Sequence, residues 1–145
     1  MDKTPPMVAM AILYRDNKFL MQLRDKIEGI IYPDCWGLFG GHLEPEETPE
    51  LGIKRELIEE INYTIEKPKL FNCYTDYRAE RYIFHAPLKV RLHKLELNEG
   101  WDLDLVPIEN IQRGFHYSDK PKMEKPLGTI HRQILLDFIE QIFNC

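Results

Sequence analysis

Cysteine is scarce in this chain. Its three cysteines, Cys35, Cys73 and Cys145, are odd in number and widely spaced, so they form neither a zinc-ligand pattern nor a disulfide framework. A reducing compartment, the cytoplasm, is the expectation that follows. Long apolar runs are also missing. The longest, near Met7 to Tyr14, is too short to span a bilayer, and the first residues, Met1 to Pro6, carry no signal-peptide pattern. No excess of basic residues is present either: 19 Lys and Arg face 24 Asp and Glu, for a formal charge of −5. With no basic patch to offset that charge, a nucleic-acid polymer is excluded as the partner. The five histidines, His42, His85, His93, His116 and His131, show no ligand spacing, and no Ser/His/Asp or Cys/His arrangement can be assembled. Repeats, linkers and low-complexity segments are absent.

What remains is globular. Hydrophobic residues make up 43% of 145 positions and charged ones 30%, which suits a single domain over 1–145 with a real core. The negative charge is unevenly placed. Residues 41–60, GHLEPEETPELGIKRELIEE, hold Glu44, Glu46, Glu47, Glu50, Glu56, Glu59 and Glu60 against Lys54 and Arg55, a net of −5 that equals the charge of the whole chain. Carboxylates crowded like this repel one another unless a cation neutralises them.

The local grammar is that of a glycine turn entering a helix. Gly40-Gly41 suits a backbone that turns sharply or approaches a ligand closely. Thr48 is a good N-cap, Pro49 fits the first helical position, and Glu50 suits the positive end of the helix dipole. Leu51, Leu57, Ile58 and Ile61 are the expected buried stripe, and Asn62 the expected stop. Glu56 stands three residues before Glu59 and four before Glu60, a spacing that places all three side chains on one face. Hard oxygen donors in that arrangement suit Mg²⁺ or Mn²⁺, which keep waters that substrate phosphates can replace. The Asp/Asn/Gly ladder of an EF-hand calcium loop is absent.

These residues resemble the signature of the Nudix hydrolases, G-x5-E-x7-R-E-U-x-E-E-x-G-U with U a bulky aliphatic. Gly41 takes the first glycine, Glu47 the first glutamate, Arg55-Glu56-Leu57 and Glu59-Glu60 the core. Asn62 and Tyr63 stand where the pattern has its last glycine and aliphatic. Trp36-Gly37-Leu38-Phe39-Gly40-Gly41 is similar to the family's approach to its box, with Phe39 where proline is frequent. The resemblance implies an α/β/α sandwich with a mixed central sheet, and Mg²⁺- or Mn²⁺-dependent hydrolysis of a nucleoside diphosphate linked to a group X. It implies metal ligation by Glu56, Glu59, Glu60 and Gly40, catalysis by Glu56, Glu59, Arg55 and Glu99, and substrate contacts at Arg24, Gly41 and Glu47. Arg55 is read as an orienting partner for the carboxylates. Asp102 and Asp104 compete with Glu99 for the role of extra ligand or base.

Group X is left open between an intact or oxidised nucleoside triphosphate, a nucleotide sugar, a dinucleotide and a non-nucleotide diphosphate. So is the choice between monomer and homodimer. The alternative class is a catalytically idle fold that binds a nucleotide or a partner, against which the intact Glu56, Glu59 and Glu60 argue.

Around the box, strands are expected at Val8–Tyr14 and Phe19–Leu23, joined at Asp16-Asn17. Further strands are expected at Lys69–Tyr77 and Arg81–Leu92, paired through a turn near Ala79, and at Trp101–Val106. Pro107–Gln112 reads as a short helix. A final helix capped by Thr129 would bury Ile130, Ile134, Leu135, Phe138, Ile139 and Ile142. Asp25–Asp34 reads as a loop over the site, whose Ile30-Ile31-Tyr32 would either contact the leaving group or pack on the domain.

Overall fold

The computed structural model describes residues 4–24 and 34–143. In chain order the elements are β1 (Met7–Arg15), β2 (Lys18–Leu23), β3 (Trp36–Gly37), β4 (Phe39–His42), α1 (Pro49–Ile61), β5 (Lys69–Thr75), β6 (Glu80–Pro87), β7 (Asp102–Pro107), α2 (Ile108–Arg113), β8 (Phe115–Ser118), β9 (Met123–Pro126) and α3 (Thr129–Phe138). A 3₁₀ turn covers Leu92–Lys94, and a π-helical turn, Ile139–Phe143, follows α3. The fold is mixed α/β. Two compact units divide it: one from the described residues up to Leu13 together with Phe39–Asn98, the other from the described residues of 14–38 and of 99 onward.

The first unit is built on the leading part of β1. Val8 to Leu13 are all buried, so this strand is covered on both faces rather than alternating. It pairs antiparallel with β4, Val8 opposite His42 through Ala11 opposite Phe39, and lies beside β6. β6 continues to β5 through a turn held by the Asp76 carboxylate, which accepts from the amides of Arg78 (2.8 Å) and Ala79 (3.1 Å). α1 starts as its sequence requires: Thr48 is extended and its hydroxyl accepts from Leu51 N at 3.3 Å. It stops at Asn62, which takes the left-handed conformation with φ 54°. Tyr63, the residue in the aliphatic position, is buried, and its hydroxyl accepts from Lys89 N at 3.1 Å.

The buried stripe of α1 differs from expectation. Gly52, Ile53, Leu57, Glu60 and Ile61 are inside, while Leu51 and Ile58 are 57% and 48% exposed. Ile53, Leu57 and Ile61 recur every fourth residue, the helical spacing of one face. Gly52 decides the phase, because a side chain there would meet Leu43 Cδ2 at 2.2 Å. Leu51 and Ile58, seven apart, are turned to solvent, and a carboxylate, Glu60, takes an inner position.

The second unit begins with the β1–β2 turn. Asp16 and Asn17 both have positive φ, 52° and 62°, the requirement of a two-residue type I′ turn. β2 pairs antiparallel with β7 from Lys18–Pro107 to Leu23–Asp102, and with β3 at Gln22–Gly37 and Leu23–Trp36. α3 packs Phe138 edge-on against Phe19, with ring centroids 6.1 Å apart, and His131 Nδ1 accepts from Leu38 N at 3.0 Å.

Several expectations are corrected. The strand expected over Arg81–Leu92 ends at Pro87, whose ring cannot donate to a ladder, and Leu92–Lys94 is 3₁₀. Gly128, not Thr129, is the N-cap of α3, with no side-chain cap. Ile130, in the first turn of α3, is half-buried, and Ile142 is 45% exposed because the switch to a π-turn at Ile139 shifts the phase of the residues that follow it. The β8–β9 hairpin was not expected, because FHYS and MEKP are short and MEKP has no β-branched residue. The loop reading of Asp25–Asp34, including Ile30-Ile31-Tyr32, lies outside the described residues except at Asp34.

The left-handed stop makes a direct prediction. Asn62→Ala forces a Cβ-bearing residue without a compensating side-chain hydrogen bond into φ 54° and is expected to lower the unfolding free energy by about 1 kcal/mol. Asn62→Gly, which adopts this conformation freely, is expected to be at least as stable as the native chain. Urea unfolding of the three proteins measures both.

Candidate active site

The site lies in the first unit, where β4 hands over to α1. Gly40 has φ 149°, and a side chain there would strike Ala9 O at 2.1 Å, so only glycine fits beside β1. Its amide donates to Glu60 Oε1 at 2.9 Å. That bond explains how a carboxylate occupies a buried position on α1. Gly41 is equally constrained from the other side: a Cβ would come within 2.6–2.8 Å of the Glu56 carboxylate atoms. The two glycines thus form a seat against which two glutamates of the helix lie.

Arg55 organises the remainder. Its Nε and Nη2 donate to Glu47 Oε2 (2.7 Å) and Oε1 (2.8 Å), a two-pronged fork. Nη1 donates to Glu56 Oε1 (3.0 Å) and Glu59 Oε2 (3.2 Å), and Nη2 also to the His42 carbonyl (3.1 Å). Glu47 Oε1 accepts from the Glu44 amide as well, at 2.9 Å. The hydrogen bonds from Arg55 hold the Glu47 carboxyl at about 2, far below its ordinary value. Glu47 in turn drives the guanidinium pKa further up. One base thus faces Glu47, Glu56 and Glu59, with Glu60 behind, and the surplus of negative charge suits an added cation. Exposure grades along the helix: Glu60 is buried, Glu56 half-buried and Glu59 exposed.

Among the described residues, no three His, Cys, Asp or Glu side chains stand together as a closed metal cage. Mg²⁺ does not need one, since it binds through one or two carboxylates and keeps waters or phosphate oxygens. The hard oxygen donors on the two-glycine seat fit such an ion.

The other sequence-derived candidates belong to the second unit. Arg24 follows β2, half-buried, with its amide donating to Cys35 O at 3.0 Å. Glu99 is exposed. Asp102 Oδ2 accepts from Ser118 Oγ (2.6 Å), and Asp104 Oδ2 meets His116 Nε2 at 2.8 Å, so both aspartates tie β7 to β8. No local pattern marks that pairing, which joins residues twelve or more apart. Nor does one mark Asn98, whose amide groups reach the end of α1.

The NUDIX domain family profile matches residues 4–125. The chain belongs to the NUDIX family. A curated mouse protein, diphosphoinositol polyphosphate phosphohydrolase 3-alpha, is 29% identical over 107 residues. The match covers 72% of this chain and 61% of the relative, so the chain spans 61% of the length of the curated protein it resembles. The crystal structure of a MutT NUDIX hydrolase from Burkholderia pseudomallei superposes with TM-score 0.71 at 20% identity, covering 96% of this chain and 98% of that one. A bifunctional NMN adenylyltransferase/ADP ribose pyrophosphatase from Francisella tularensis, complexed with AMP and a manganese ion, gives 0.70 at 20% identity, over 97% of this chain and 42% of that one. The mixed α/β fold of this NUDIX protein is the fold of these structures. Among its described residues no helix is long and apolar enough to cross a membrane.

Two predictions follow from the seat and the fork. Glu47 has its pKa depressed on folding, so its stabilising contribution is complete above about 4.5 and lost as pH falls toward about 2. The stability gap between wild type and Glu47→Gln, followed by chemical unfolding, is expected to be constant from pH 7 to 5 and to close below 4. Gly41→Ala must displace the Glu56 carboxylate and is expected to weaken Mn²⁺ binding, read by calorimetric titration.

Proposed function

We propose that this NUDIX protein is a pyrophosphohydrolase that cleaves a phosphoric anhydride in a nucleoside diphosphate-X substrate with Mg²⁺ or Mn²⁺. The observation that carries the reading is the single guanidinium of Arg55 bound to Glu47, Glu56 and Glu59 at 2.7–3.2 Å, beside Glu60 on Gly40 N. A chain that only bound ligand would have no use for so many carboxylates around one base. The relatives support the reaction class: one is named a diphosphoinositol polyphosphate phosphohydrolase, and another carries an ADP ribose pyrophosphatase and holds manganese.

In this reading Glu56, Glu59 and Glu60, with the Gly40 carbonyl, would hold the ion. When bound, such an ion neutralises diphosphate oxygens and lowers the pKa of a coordinated water. Arg55 aims the Glu56 and Glu59 carboxylates through its hydrogen bonds, while Glu47 fixes Arg55. Gly41 leaves backbone room for substrate phosphate beside Glu47. Arg24 offers a guanidinium for a phosphate oxygen, the bidentate match that Arg makes best. Glu59, exposed, or Glu99, the residue after Asn98, accepts the proton of the attacking water. Glu99 is preferred to Asp102 and Asp104 because those carboxylates are engaged with Ser118 and His116. The substrate is a small nucleotide, the setting cytoplasmic, and the protein a monomer or homodimer.

The decisive experiment is a release assay across nucleoside triphosphates, including oxidised ones, nucleotide sugars, dinucleotides and diphosphoinositols, with Mg²⁺ or Mn²⁺. Turnover that chelator abolishes is expected on at least one. Glu56→Gln is expected to lower that rate about a hundredfold with the melting temperature retained, as when charge stabilisation of phosphoryl transfer is lost. Inertness on the whole panel with either metal would return the chain to the binding-only class.

A further inference from the structure

The last carbonyls of a helix have no partner within it and must find one elsewhere. In α1 every one of them does. Leu57 O and Ile58 O accept from the amides of Tyr63 (3.2 Å) and Asn62 (3.0 Å) around the left-handed stop. Ile61 O accepts from Glu96 N at 3.1 Å, and Glu60 O from Asn98 N at 2.9 Å. Glu59 O accepts from the Asn98 side chain, Nδ2, at 2.8 Å. A segment 35 or more positions along the chain therefore ends the helix, and one residue, Asn98, grips two consecutive carbonyls.

Those two carbonyls belong to Glu59 and Glu60, whose side chains lie at the candidate metal site. A single hydrogen bond lets the last turn pivot; two from one residue, one backbone and one side-chain, fix its rotation as well as its distance. Asparagine combines the required parts. Its amide nitrogen donates, and its stem is short enough to span neighbouring carbonyls. Aspartate has no donor there and would turn an oxygen on Glu59 O. Alanine leaves that carbonyl to water, and the bond from Asn98 N remains to hold the chain in place.

We infer that Asn98 is a positioning residue of the metal site, clipping the end of α1 so that the Glu59 and Glu60 carboxylates are set for a divalent cation. The inference rests on the metal-dependent reading above and deepens it. It assigns no contact with substrate to Asn98. The fork from Arg55 holds the helix from its exposed side through Glu59 Oε2, and Gly40 N holds Glu60 Oε1. Asn98 supplies the third constraint, on the backbone of the same two residues.

The test compares wild type with Asn98→Ala, Asn98→Asp, Glu60→Gln and, as a control for local charge, Glu96→Ala, whose side chain is exposed and whose backbone bond is kept. Mn²⁺ affinity is measured by calorimetric titration without substrate, together with kcat, KM and melting temperature. Asn98→Ala and Asn98→Asp are expected to weaken Mn²⁺ binding and lower kcat, each about tenfold and most in the aspartate variant, with KM within about twofold, the pattern of misplaced rather than missing groups. Glu96→Ala is expected to match wild type. Hydrogen exchange at Glu96 and Asn98 should stay slow, showing that the backbone bonds survive. Native Mn²⁺ affinity in both Asn98 variants would overturn the inference, as would a loss that merely follows melting temperature. If Glu60→Gln also binds Mn²⁺ as wild type does, the metal reading itself falls, which is a separate and distinguishable outcome.

Discussion

One guanidinium sets the terms for the first unit. Arg55 is bonded to Glu47, Glu56, Glu59 and the His42 carbonyl, so it joins the loop after β4 to three positions of the chain at once. The cost of bringing like charges together is met by a base that no ordinary pH can deprotonate. It is met only in part, since the carboxylates outnumber it. Under the proposed function, that incomplete neutralisation is what a divalent cation would complete. The loop and the carboxylates therefore depend on the same residue: removing Arg55 would release the loop and leave the carboxylates to repel.

Close approach is the second constraint. Gly40 fits under Ala9 O, and Gly41 fits under the Glu56 carboxylate. Gly52 admits Leu43 against α1. Each glycine removes a side chain where two pieces of backbone or a carboxylate must meet. The result is a helix whose inner face carries a carboxylate, Glu60, that would be unfavourable there without the Gly40 amide. The departures from the family pattern are compatible with this arrangement. Asn62 takes the left-handed stop, and Tyr63 fills an aliphatic position while its hydroxyl caps Lys89 N.

Legibility followed the range of the interaction. The cap at Thr48, the stop at Asn62, the turn at Asp16-Asn17 and the β5–β6 turn at Asp76–Ala79 were all readable, because each is decided by residues within four positions. The buried face of α1 was not: hydropathy favoured Leu51 and Ile58, but Gly52 against Leu43 chose another phase. The β8–β9 hairpin was hidden for a related reason. It is pinned by His116 on Asp104 and Ser118 on Asp102, contacts between short polar strands that no local pattern announces. Ile142 fell on the wrong side because a π-turn changes the period of the helix it ends.

The sequence by itself determined the chemistry available. The spacing of Glu47, Arg55, Glu56, Glu59 and Glu60 on and before one helix dictates which of them can meet, because helix geometry is the same in every protein. Tertiary structure decided how each is held. Only the fold brings Gly40 N to Glu60, places Gly41 beneath Glu56, and carries Glu96 to Asn98 back to the end of α1. These are contacts between residues 15 to 39 positions apart, and each has backbone on at least one side, so no pattern of side chains announces its partner.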